Sequence, residues 1–202
     1  MRMKELTYLL IMICIYFVYT NFVRKKLFLV KVKGKNGVSY LVRNLKDKQE
    51  AANILGELSD NLQDLCDACV DKETSGDRKE AVERLSKKFK SREITENIPG
   101  SQHVAYSVNK GEELSICIRK KDSEEFMDKN TIRFVAIHEL AHIMSESSGH
   151  TPEFWDNMKY LLEQAIANGI YKAVDYSKSP VDYCGMKITD TFIYVIVITG
   201  II

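Results

Sequence analysis

Hydrophobic positions change their spacing several times along this chain, and each spacing implies a different element. Residues 6–23, LTYLLIMICIYFVYTNFV, carry no charged side chain. Residues 27–33 and 38–43 alternate apolar with polar around Gly34-Lys35-Asn36-Gly37, which predicts a β-hairpin. Spacings of three and four then take over. Ala51, Leu55, Leu58, Leu62, Leu65 and Cys69 make one face of a helix over 46–70. A stripe of about three heptads could form a coiled-coil seam, but in a mixed domain it is expected to face a core. Residues 72–78 form a polar loop, and Ala81, Val82, Leu85 and Phe89 predict a shorter helix ending before the Ile98-Pro99-Gly100 turn. A second hairpin is predicted over 103–119, turning at Asn109-Lys110-Gly111.

Two helices follow in close succession. Ile132, Val135, Ala136, Leu140 and Met144 recur at helical spacing, with Asn130 as the expected N-cap. Ser145 to Gly149 can end that helix and turn the chain back. Thr151 and Pro152 then supply an N-cap and a first helical residue. Phe154, Trp155, Met158, Leu161, Leu162, Ala165 and Ile166 give the second helix a continuous apolar stripe, closed by Asn168-Gly169.

The chemistry sits on this pair. The chain has only four histidines, and three of them fall within 138–150. His138 and His142 share one face of the first helix, about one turn apart, where two imidazoles can grip one cation. Glu139 is adjacent to the first of them and is better placed to hold a water at the metal than to bind the metal itself. That is the H-E-x-x-H arrangement, in which the glutamate serves as general base. His150 directly follows Gly149 at the entrance of the second helix and faces back towards the first pair. An inert cluster of core histidines is the plainer alternative, and the orderly helix signals around all three residues weigh against it.

H-E-L-A-H, a short loop and then G-H-T-P-E-F-W resemble the zinc metalloproteases of the WLM and SprT-like group, minimal gluzincin-type zincins. The matching motif covers about residues 130–168. The resemblance implies zinc bound by His138, His142 and His150, with Glu139 catalytic and a protein or peptide as substrate. It also implies that the second strand of the 103–119 hairpin is the sheet edge on which an extended substrate pairs. In zincins a tyrosine hydroxyl can stabilise the oxyanion, and Tyr171, Tyr176 and Tyr183 are equal candidates for that role.

The uncharged run at the amino terminus changes the organisation. As a helix, 18 residues span about 27 Å, close to the hydrocarbon thickness of a bilayer. No small-x-small cleavage site follows it; Arg24-Lys25-Lys26 does. Lys31, Lys33 and Lys35 extend the basic flank, so the positive-inside rule places the remainder of the chain in the cytoplasm. The expected organisation is an anchor with its basic flank over 1–26, a metallopeptidase domain over 27–191, and an apolar tail over 192–202. The fold class is α+β, a zincin-like domain whose small mixed sheet backs the metal-binding helix, preceded by a transmembrane helix.

Composition adds exclusions. With 202 residues, 45% of them hydrophobic, the chain can bury a core, and a net charge of +1 together with the absence of a basic tail gives no indication of a nucleic-acid partner. Five cysteines at scattered spacings form no disulfide framework, and reduced thiols fit the cytoplasmic side. Cys66 and Cys69 form a C-x-x-C late in a helix with no second pair, so core packing is expected of them. His103 is expected to be polar surface. Residues 192–202 are too short to span a bilayer and rich in β-branched residues, which favours a terminal strand, with a membrane-dipping tail as the alternative. The functional expectation is a membrane-anchored zinc metallopeptidase. The rival is a membrane-tethered module whose zinc only staples the fold, and a site of that kind has no need of Glu139.

Overall fold

A computed structural model describes residues 3–19, 27–73, 75–101, 105–108 and 111–189. Its first element, α1, covers Met3–Val18 and is exposed around its circumference, with Leu9, Met12, Ile15, Tyr16 and Phe17 all at least half exposed. Sixteen residues rise only about 24 Å, short of a bilayer's apolar core. No helix among the described residues is long and apolar enough to cross a membrane. The end of the uncharged run and the Arg24-Lys25-Lys26 flank lie outside the described residues, as do His103, the Asn109-Lys110 turn and the 192–202 tail.

The first predicted hairpin is present as β1 (Leu29–Lys33) and β2 (Ser39–Arg43), paired antiparallel. Gly37 has φ +82 at its turn, a conformation that disfavours other residues. Asn36 secures the turn, donating to the Tyr40 hydroxyl at 2.9 Å and accepting from the Val38 amide at 3.2 Å. Next come α2 (Lys48–Lys72) and α3 (Gly76–Lys88). The periodic face of α2 is core: Ala51, Leu55, Leu62, Leu65 and Cys69 are fully buried. Each leucine so placed contributes roughly 1.5–3 kcal/mol relative to exposure.

The sheet continues with β3 (Ile94–Glu96), β4 (Ala105–Val108) and β5 (Glu113–Ile116). Its five strands run in the order β1-β2-β3-β5-β4. Parallel pairing joins β2 to β3 and β3 to β5, whereas β4 and β5 are antiparallel. The second hairpin therefore exists with its roles exchanged: β4, the first strand, is the edge, and β5 is interior. The inserted β3 causes this, because it takes the side of β5 that a lone hairpin would leave open. Nothing in the hydrophobic pattern marks β3, since two of its three residues are the buried polar Thr95 and Glu96.

Helix α4 (Lys129–Met144) and helix α5 (Pro152–Ala167) pack on each other, and α4 lies across β4 and β5. The N-cap of α4 is Asp128, whose carboxylate accepts from the Thr131 amide at 2.9 Å. Asn130, the expected cap, instead clasps the chain beyond α5, donating to the Lys172 carbonyl and accepting from the Lys172 amide. Thr151 caps α5 and Pro152 begins it, as the sequence implies. A short hairpin, β6 (Val181–Tyr183) and β7 (Met186–Ile188), follows. One disulfide, Cys117–Cys184, ties this hairpin to the segment after β5 and overturns the expectation of reduced cysteines throughout. The two partners are separated by 67 positions, so no local spacing announces the bond. Among the described cysteines, Cys14, Cys66 and Cys69 are free; Cys66 and Cys69 are buried, as expected of core residues.

Candidate active site

His138 and His142 project from the third and fourth turns of α4, and α5 begins two residues after His150. One ligand atom from each of the three residues falls within 4.8 Å of the others. His138 Nε2 and His150 Nε2 are 3.1 Å apart. Two nitrogens on one tetrahedral zinc, each at about 2.0–2.1 Å, stand about 3.3 Å from each other, so the donor set fits that ion. Burial, aided by the neighbouring His142 and His150 rings, lowers the His138 pKa to about 3, leaving the neutral imidazole that a metal requires.

Packing holds the rings in place. Phe154, fully buried, sits beneath all three, with ring centroids 4.9 Å from His138, 4.3 Å from His142 and 4.7 Å from His150. Trp155 covers His150 at 5.2 Å. The apolar stripe of α5 thus has a second use at its first turn, as the floor of the histidine cluster.

The loop that brings His150 round is tied down from both sides. Glu153, in the first turn of α5, accepts from the Glu146 amide at 2.7 Å, the Ser147 amide at 3.0 Å and the Ser147 hydroxyl at 2.6 Å. These bonds hold its carboxyl down at a pKa of about 2. Arg84 of α3 donates to the Met144 carbonyl and to Glu146. Asn157 donates to the Ser145 hydroxyl at 2.9 Å, in a fully buried contact. Gly149 completes the reversal at φ +81. Sequence reasoning passed over Arg84, Glu153 and Asn157. Of the three, only Glu153 carries a local signal, an acid in the first turn of a helix.

Glu139 is 9% exposed, and burial raises its pKa to about 7, opposed by a hydrogen bond with the Ser107 main chain. A carboxylate near neutrality is suited to taking up and returning a proton. Ser107 belongs to β4, so the base lies beside the edge strand of the sheet. An extended peptide added to that edge would pass the same point.

All three candidate tyrosines are buried. Tyr171 and Tyr176 pack on Phe134, one helical turn before His138. Tyr183 is fully buried and donates to the Cys117 carbonyl at 2.5 Å. Its hydroxyl pKa is pushed up by burial and further by the Glu139 charge.

The WLM domain family matches residues 81–181. An uncharacterised protein of Acanthamoeba polyphaga mimivirus is 34% identical over 155 residues, covering 75% of this chain and 78% of that protein. An uncharacterised protein of Invertebrate iridescent virus 3 is 42% identical over 67 residues, 33% of this chain and 42% of its own length. Among solved structures, a Wss1 mutant from Saccharomyces cerevisiae is similar at a TM-score of 0.48 and 18% identity, covering 64% of this chain and 92% of that one. A Wss1 mutant from S. pombe is similar at a TM-score of 0.44 and 20% identity, covering 61% and 92%.

Proposed function

The chain belongs to the WLM domain family, and from that premise we propose that it is a zinc-dependent metallopeptidase held at a membrane by its amino-terminal segment. The observation that carries the reading is the buried Glu139 carboxylate set beside three converging histidines and the main chain of the edge strand. His138, His142 and His150 would hold the ion. Zinc, when bound there, supplies a Lewis acid that polarises a peptide carbonyl and lowers the pKa of a water towards 7. The chain's own residues do the rest. β4 is an outer strand of the sheet, along which an extended peptide would hydrogen-bond with its scissile bond over the histidines. Glu139 takes the proton from the attacking water and returns it to the leaving amine, a reversal that its near-neutral pKa favours.

Glu139→Gln tests this directly. The variant keeps size and a hydrogen-bonding end but cannot accept the proton. Purified protein should hold about one zinc per chain in both forms. Hydrolysis of casein, or self-cleavage, should fall by roughly 10²–10⁴ in the variant. Equal hydrolysis by the two forms would place the base elsewhere. No hydrolysis by either, with unfolding on zinc removal, would favour a zinc that only staples the fold.

Membrane attachment is a separate part of the proposal. Its support is the uncharged run of residues 6–23 and the apolar surface that α1 leaves uncovered. The basic flank orients the catalytic domain to the cytoplasm. In that reducing compartment the Cys117–Cys184 bond would be a regulated one rather than a permanent staple. Retention through an alkaline carbonate wash checks the anchor, and protection from protease added to intact cells checks the orientation.

A further inference from the structure

Beside the β6–β7 hairpin lies a pocket of about 360 Å³, with Arg43, Glu96, Cys117, Lys121 and Cys184 among its walls. The Cys117–Cys184 disulfide is therefore accessible, and both residues are half-buried. By contrast, Cys66 and Cys69 are sealed inside α2, where burial pushes both thiols up, Cys69 to about 11.

Local geometry favours opening of this bond. Cys184 has φ +52 and Gly185 has φ +88, so the two residues joining β6 to β7 both adopt left-handed conformations, as a type I′ turn requires. Asn, Asp or Gly suits the first of those positions; a cysteine there is held against its preference. Both sulfurs lie against one acceptor, the Arg119 carbonyl oxygen, at 3.2 Å from Cys117 and 3.1 Å from Cys184. That oxygen can take a thiol hydrogen once the bond is broken. The exposed Lys121 chain runs over the turn, with its Nζ 3.4 Å from the point where a Cβ on Gly185 would stand. The Arg119 guanidinium is already engaged by Glu96 and Asp47, whereas Lys121 lies over the turn where an approaching anion would meet it.

We propose that Cys117–Cys184 is an exchangeable disulfide, a modification site that accepts a small anionic thiol at Cys184 and frees the C-terminal hairpin when it opens. The incoming thiolate attacks Cys184 Sγ. A new S–S bond forms as the Cys117–Cys184 bond breaks, and Cys117 leaves with the electron pair and takes a proton from water. A second thiolate attacks the mixed disulfide, releasing Cys184 and the small disulfide. Two thiols are oxidised and two cysteines reduced. The hairpin then loses its covalent tie to the sheet and keeps the Tyr183 hydrogen bond to the Cys117 carbonyl and the burial of that ring. This inference stands apart from the peptidase reading.

The test uses the full chain with the exposed Cys14 removed as Cys14→Ser. Reduced glutathione is added in native buffer, free thiols are trapped by alkylation, and peptides are mapped by mass. The expected product carries glutathione on Cys184 and the alkyl group on Cys117, with Cys66 and Cys69 unmodified. Lys121→Glu should slow glutathione by about threefold or more and slow mercaptoethanol, whose reacting thiolate carries the smaller negative charge, by clearly less. Cys117→Ser combined with Cys184→Asn removes the bond and gives the turn a residue it prefers, so misfolding of the turn is not confounded with loss of the bond. That variant should show, without any thiol, the same new tryptic cut at Lys187 that glutathione produces in the parent. A bond that survives glutathione until denaturant is added overturns the proposal. So does glutathione found on Cys117, or a Lys121→Glu variant that slows both thiols alike. A double variant resistant to trypsin at Lys187 would overturn the release of the hairpin.

Discussion

Replacing Glu153 by Gln should loosen the loop that carries His150 without touching a ligand. The carboxylate receives two main-chain amides and one hydroxyl from Glu146 and Ser147. Gln can accept one of them, but its NH₂ then faces donors. Hydrogen bonds to a charged acceptor are worth about 1.5–3 kcal/mol each when shielded. Glu153 is 38% exposed, so water screens the gain, and about 1–2 kcal/mol in total is the reasonable expectation. The pH dependence follows from its depressed pKa of about 2. A carboxyl more acidic in the folded state stabilises above its unfolded pKa, here about 4.5, and that stability drains away as pH falls towards 2. Thermal melts of zinc-free wild type and Glu153→Gln should therefore differ fully at pH 7 and converge steadily below pH 4.5. Zinc-free protein is needed because protonated histidines release metal over the same range. At pH 7, competition with a chelator should show zinc affinity reduced by roughly 10–100-fold, the usual effect of disturbing a ligand's support. A melting difference unchanged from pH 7 to 3, or unaltered zinc affinity, would refute the role given to this clamp.

Three further outcomes are expected. Arg119→Met removes the partner of Glu96, which is 2% exposed and already raised in pKa by burial, and should destabilise by about 3–5 kcal/mol. Because the stranded Glu96 is raised further and can take a proton, the loss should be larger at pH 8 than at pH 5; urea melts showing the reverse would remove Glu96 from the account. Asp128→Ala should cost about 1 kcal/mol as a lost N-cap, whereas an Asn130→Ala variant should leave the cap intact and instead speed amide exchange at Lys172. Breaking the Cys117–Cys184 bond, which closes a loop of 67 positions, should lower stability by about 4 kcal/mol in the chain-entropy account; a loss under 1 kcal/mol would mean the reduced chain retains that loop's structure.

What the sequence discloses here follows the range over which each signal acts. The H-E-x-x-H pair is legible because a helix converts a spacing of four into a shared face, and α4 is itself marked by its apolar period. His150 is legible for a related reason: Thr151 and Pro152 announce a helix entrance, which places the residue before them at a rigid corner. The core stripe of α2 is equally local. The failures are non-local. Asn130 has the right chemistry for a cap, but the chain returning after α5 brings Lys172 against it, and Asp128 takes the cap. The family resemblance implies β5 as the edge strand, and the hairpin pattern cannot correct it, because a hairpin gives no sign of which flank a third strand will occupy. That third strand, β3, hides because its interior position is justified by polar contacts: Glu96 accepts from Arg43 and Arg119, partners 53 and 23 positions away. The disulfide is hidden in the same way.

The atoms that would do chemistry are encoded within 138–150, while those that hold them steady come from α3, β4 and α5 through Arg84, Ser107, Glu153 and Phe154. A short fragment carrying the motif would contain every ligand and the base, yet lack the Ser107 main chain and the Arg84 clamp. It should bind zinc more weakly than the folded domain and leave Glu139 exposed, with the ordinary carboxylate pKa of about 4.3. Burial by the surrounding fold, more than the motif, makes Glu139 a base suited to neutral pH.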